Sequence, residues 1–155
     1  MSFRIRGLSS EPFRPLVELD DVALARVNAR RFVVDRNPGF PDRISMRDAE
    51  PGETVLLVNH VCHDAATPYR ASHAIYIRET DEAPYDAIDE VPPAMRARLL
   101  SLRAFDVEGM MLDADIVEGQ EVEGLIARLF DNPRIAYIHA HNARRGCYSG
   151  LIERE

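Results

Sequence analysis

Residues 134–148 limit the fold more than any other stretch of this chain. Apolar and polar side chains alternate there with a period of two, the signature of a half-buried β-strand. Ala136, Ile138 and Ala140 point to one face and Tyr137, His139 and His141 to the other. A tight turn follows, and residues 147–153 return as a second strand. A strand of this kind has to sit in a sheet whose back is covered, with imidazoles on the front.

The rest of the chain supplies the cover. In residues 120–130, Val122, Leu125, Ile126, Leu129 and Phe130 keep the spacing of one buried helical stripe. Asn132-Pro133 ends that helix. Asp20 or Asp21 can cap a second helix over 22–29, and Pro92-Pro93 suits the first turn of a third, to about residue 99. Strands are predicted over 3–8, 31–35, 54–60 and 73–78, with Val55-Leu56-Leu57-Val58 as a central, covered one. Prolines at positions 12 and 15 favour extended chain over 11–15, and 79–90 reads as an acidic connector.

Residues 100–117 read as a hairpin. A three-residue loop, Val107-Glu108-Gly109, places glycine where such loops need a left-handed residue. It pairs Asp106 with Met110, Ala104 with Leu112 and Leu102 with Ala114 on the core side. Phe105 then faces Met111, Arg103 faces Asp113 and Ser101 faces Asp115 on the other side. A two-residue loop would set apolar residues against carboxylates. With no linker long or polar enough to split the chain and no internal repeat, these elements predict one α+β domain over 1–155: a mostly antiparallel sheet with about three helices packed on it.

Composition narrows the function. The net charge of −7 argues against a nucleic-acid partner, which calls for a basic face. No apolar run reaches the ~20 residues that span a bilayer, and the first residues lack the pattern of a secretion signal, so a cytoplasmic address is expected. All 19 basic residues are arginine, which removes lysine chemistry. Cys62 and Cys147 are expected as free thiols.

Three chemistries compete at the last hairpin. Arg144 and Arg145 can fork onto a carboxylate or phosphate, with Arg70, Asn142 and Tyr148 assisting. Cys147 sits among guanidinium groups that favour a thiolate, and a neighbouring histidine, His139 or His141, can serve as its base. His139 and His141, two apart on one strand face, can begin a divalent zinc or iron site. The hairpin register would bring Asp113 and Asp115 to that same face as further ligands. His60, Cys62, His63 and His73 are other candidates for a third ligand. Against all three stands a plain alternative: an interaction or structural module in which these groups only brace the hairpin.

The chain resembles a bacterial family of unknown function, DUF1203. The resemblance rests on Asp48-Ala49-Glu50-Pro51-Gly52-Glu53, Thr67-Pro68-Tyr69-Arg70-Ala71-Ser72-His73, Leu99-Leu100-Ser101-Leu102-Arg103-Ala104, Gly109-Met110-Met111-Leu112-Asp113-Ala114-Asp115 and the block 138–148. It implies no reaction. The expectation is therefore a small-molecule enzyme or binding protein for an anionic ligand, with its site at the last hairpin. Reaction, oligomeric state and any metal stay open.

Overall fold

The computed structural model describes residues 1–155. Nine strands and four short helices form two antiparallel sheets. The strands are β1 (Phe3–Arg6), β2 (Arg30–Val33), β3 (Thr54–His63), β4 (Ala71–Arg78), β5 (Asp86–Ile88), β6 (Leu99–Phe105), β7 (Met111–Glu118), β8 (Tyr137–Asn142) and β9 (Tyr148–Arg154). The helices are α1 (Arg14–Val17), α2 (Asp21–Arg26), α3 (Pro93–Arg96) and α4 (Val122–Phe130). The larger sheet runs β5-β1-β9-β8-β6-β7, and the smaller runs β2-β3-β4.

Helix α4 buries the five residues of its apolar stripe against one face of the large sheet. Leu100, Leu102, Ala104, Ile138, Ala140 and Ile152 meet it there in the main core. The alternation in β8 thus decides the layering: Ile138 and Ala140 feed this core, and Tyr137, His139 and His141 project toward the small sheet. On that side Leu56, Val58, Ile75 and Ile77 form a second core with Phe13, Leu24 and Tyr148. Asp20 caps α2 by accepting from the Ala23 backbone N–H at 2.8 Å.

Three sequence expectations are corrected. Residues 11–17 are not extended: a single 3₁₀ turn leads into α1, because Pro12 and Pro15 fall in first-turn positions that need no N–H donor. The acidic connector contains edge strand β5. Asp86 holds the Arg4 guanidinium, and Asp89 accepts from the Phe3 backbone N–H at 2.9 Å, so its charges fasten it to β1.

The third correction concerns the β6–β7 hairpin. Its turn is as read, with Gly109 at φ +87° and Phe105 opposite Met111. A bulge at Leu112 then shifts the register by one residue, so Ala104 faces Asp113, Arg103 faces Ala114 and Leu102 faces Asp115. Asp113 and Asp115 consequently lie on the α4 side, where Arg128 meets both. Strand β7 is an edge, so these carboxylates stay in water at the rim while Leu102 and Ala104 are buried beside them.

Candidate functional site

The turn between β8 and β9 is fixed by its own backbone. Asn142 N–H donates to the Cys147 carbonyl at 2.9 Å, and Gly146 N–H donates to the Asn142 carbonyl at 2.7 Å. Gly146 adopts φ +81°, a left-handed conformation that glycine takes without cost. The turn is docked on the entry to β6, since Ala143 N–H donates to the Leu99 carbonyl at 2.9 Å. These bonds aim Asn142, Arg144, Arg145 and Cys147 into a cleft of about 600 Å³ along the β4 edge of the small sheet.

Five arginines line this cleft, Arg36, Arg43, Arg98, Arg144 and Arg145, and its only carboxylate is Glu118. Their positive charges are not equally committed. Arg98 forks onto Asp48, with nitrogen–oxygen distances of 2.6 and 2.8 Å. Arg36 pairs with Asp35 at 3.1 Å. Arg144 and Arg145 are exposed and take no part in the chain's ion pairs. Arg43 is the unusual one: it is only 2 % exposed and has no carboxylate partner. It donates to the Tyr148 carbonyl at 2.8 Å, to the Pro41 carbonyl, and to Cys147 Sγ at 3.1 Å. Burial pushes its pKa down, with the nearby thiol acting the other way, yet a guanidinium remains charged at neutral pH. Asn142 Nδ2 also donates to the sulfur, at 3.5 Å, while its buried Oδ1 has no partner. Leu57 and Tyr76 add an apolar wall.

The histidines form a separate group between the sheets. His139 and His141 are 5 % and 3 % exposed. Burial, reinforced by His63, His141 and Arg103, lowers the His139 pKa to about 3. Burial lowers that of His141 to about 4, against the opposing hydrogen bond to Gly146. Both are therefore neutral imidazoles at pH 7. His141 Nδ1 donates to the Gly146 carbonyl at 2.9 Å, and His139 Nδ1 has no partner. His63 Nδ1 donates to the Tyr69 carbonyl at 2.9 Å, which leaves Nε2 to accept from the Tyr137 hydroxyl at 2.7 Å. His73 reaches across from β4 to stack edge-on against His141, with ring centres 4.9 Å apart, and also lines the arginine cleft.

The residues singled out in the sequence therefore divide. Asn142, Arg144, Arg145 and Cys147 converge on the cleft. Arg70, His139 and His141 line a smaller cavity elsewhere in the intersheet space. Tyr148 lies in the core between the sheets, its ring 5.1 Å from His139 and 5.8 Å from His141, and burial raises its pKa. Asp113 and Asp115 are on the opposite side of the large sheet and cannot join the histidines. No group of three or more His, Cys, Asp or Glu side chains is placed to hold a metal ion. His60 packs against Phe13 at 5.8 Å, and burial raises the Cys62 pKa.

Sequence reasoning missed Arg43, Arg98 and Arg36 as cleft residues. Arg43 follows a turn-rich segment, where an arginine ordinarily reads as solvated. Its near-complete burial has no local signature, because two of its three acceptors, the Tyr148 carbonyl and Cys147 Sγ, come from the far end of the sequence.

A family model described as "Protein of unknown function (DUF1203)" matches residues 39–154, a span that contains every cleft residue named above except Arg36. No curated protein matches the chain, and no solved structure matches it.

Proposed function

We propose that this chain, which belongs to the DUF1203 family, binds a small anionic organic molecule in the arginine cleft. One observation carries the reading: Arg43, Arg144 and Arg145, three guanidinium groups without carboxylate partners, line one cleft in a chain of net charge −7. Acidic side chains are abundant enough to neutralise every arginine, and elsewhere they do so at Arg4, Arg31, Arg78 and Arg96. Charge left uncompensated in a concave site is the complement of an anion. Arg144 and Arg145 supply forks from the turn, and Arg43 fixes the floor. Asn142 and His73 offer further polar contacts, and Leu57 with Tyr76 accommodates an apolar part of the ligand.

Cys147 lines the same cleft, which favours one extension of this reading. Its sulfur is oriented by Arg43 and Asn142, so an electrophilic centre on a bound anion would lie beside a fixed thiol. That makes Cys147 the candidate nucleophile. His73 is the one cleft-lining histidine and so the candidate proton carrier.

A thermal-shift series with organic dianions and trianions tests the binding reading. Citrate and a phosphate monoester are expected to raise the melting temperature of the wild type. The R144Q/R145Q double variant, altered only at exposed side chains, is expected to keep its own melting temperature and lose the response. Equal responses from both proteins would place the anions elsewhere and overturn the assignment.

A further inference from the structure

A second cavity, of about 230 Å³, lies between the sheets apart from the arginine cleft. It is below the ~300 Å³ at which pockets begin to suit drug-sized ligands. Arg103 enters it from β6 and Arg70 from the loop before β4. Arg70 is paired with Asp64. Arg103 is half-buried and has no acidic partner. The register explains why: the Leu112 bulge places Ala114, not Asp113, opposite Arg103. The sequence-expected partner has been carried to the other face of the sheet.

His139 and His141 line the cavity beside Arg103, and no carboxylate does. His139 is nineteen-twentieths buried, and its Nδ1 lacks any hydrogen-bond partner. A buried polar nitrogen without a partner keeps a desolvation cost unless something completes it. Phe105 and Met111 provide an apolar wall. We infer that this cavity is a second ligand site, built for a small monocarboxylate that forks onto Arg103 and takes up one proton at His139 as it binds.

The proton follows from the charges. On the Arg103 side the ionisable groups around His139 are cationic or neutral: His63 from β3, Arg103 from β6, and Tyr137 and His141 on β8 itself. On its other side His139 borders a neighbouring cavity with Asp64, Glu108 and Glu153, none of which reaches its unpartnered Nδ1. Tyr148 meets His139 from β9, and Cys62 borders the Arg103 cavity from β3. His73 on β4 faces His141. Arg70, beyond them, is already balanced by Asp64. Empty, the site penalises an imidazolium through burial and repulsion. A carboxylate reverses the sign of the local field and offers an acceptor for a ring N–H. Protonation and anion binding are then reciprocal: each strengthens the other by the same factor. The site rests on Arg103 and His139 and is independent of the arginine cleft.

The test uses acetate as the probe and the intact chain, in chloride-free buffer. Long-range ¹H–¹⁵N spectra follow the ring nitrogens of all five histidines during the titration. With acetate at pH 6, His139 is expected to move from the neutral to the imidazolium pattern. The apparent Kd is expected to weaken about tenfold per unit rise in pH. R103Q is expected to weaken acetate at least tenfold, and R144Q/R145Q to leave it unchanged. A neutral His139 at saturating acetate would overturn the proposal, as would a response confined to His73 or one at His139 that disappears in R144Q/R145Q. If R103Q fails to fold, the wild-type histidine spectra decide the matter alone.

Discussion

Acid should unfold this protein from a milder pH than its carboxylates alone would allow, and His139 is where to see it. Both intersheet histidines have pKa values lowered from 6.5, His139 to about 3 and His141 to about 4. Below pH 6.5 the unfolded chain therefore binds protons that the folded chain refuses. Stability contributed by these groups is complete above that pH and is lost as pH falls toward the folded-state values. Each lowered group costs about 1.4 kcal/mol per pH unit inside the window. At pH 5 the loss is about 2 kcal/mol for each histidine, or about 4 kcal/mol together. That is a large part of the 5–15 kcal/mol typical of a whole domain. Burial lowers His60 and His73 as well, in the same direction. Carboxylates add little in this range, because unfolded Asp and Glu titrate near 4.

The perturbation is His139→Phe, which keeps a ring among Phe105, Tyr137 and Tyr148 while removing the unpartnered nitrogen. Urea unfolding at pH 7.5, 6.5 and 5 gives the free energies. The wild type should lose about 4 kcal/mol between pH 7.5 and 5, and the variant about 2. A wild-type stability flat over that range would refute the burial argument. Equal losses in both proteins would show that His139 is not one of the groups involved.

Two further expectations concern charge at other depths. Arg98→Ala should cost about 3–5 kcal/mol, because it leaves Asp48, itself nearly buried, without its counter-ion; equilibrium denaturation measures it. Arg128→Ala, by contrast, removes an exposed guanidinium from Asp113 and Asp115 and should cost less than about 1 kcal/mol. A large loss there would contradict the rim placement of those carboxylates.

How far the sequence could be read depended on how local each cause was. The α4 stripe and the two faces of β8 are written in spacing alone, and all five stripe residues are buried as spaced. The Gly109 turn was legible because one backbone angle demanded one residue type. The bulge at Leu112 was not, since an extra residue in an edge strand changes no pattern on its own side of the hairpin. Its effect is large: it separates Asp113 and Asp115 from the histidines and leaves Arg103 unpaired. Strand β5 was hidden because its partners lie some eighty residues away, at Phe3 and Arg4. At the candidate site, Arg144, Arg145 and Cys147 announced themselves by adjacency. Arg43 and Arg98 join them only through the meeting of the two sheets, which no local spacing encodes.

The central claim is that unpaired guanidinium groups make the surroundings of Cys147 an anion site. Parallel alkylation with iodoacetate and iodoacetamide tests it directly, since the reagents share a leaving group and differ in charge. Peptide mapping reads Cys147 separately from Cys62, and free N-acetylcysteine, which has no protein field around it, serves as the reference. At Cys147 the iodoacetate-to-iodoacetamide rate ratio should exceed that of the free thiol by about tenfold, the equivalent of 1.4 kcal/mol of charge attraction. The excess should fall with added citrate and vanish in R144Q/R145Q. A ratio at Cys147 no higher than that of the free thiol, or one indifferent to citrate and to the two arginines, would contradict the account.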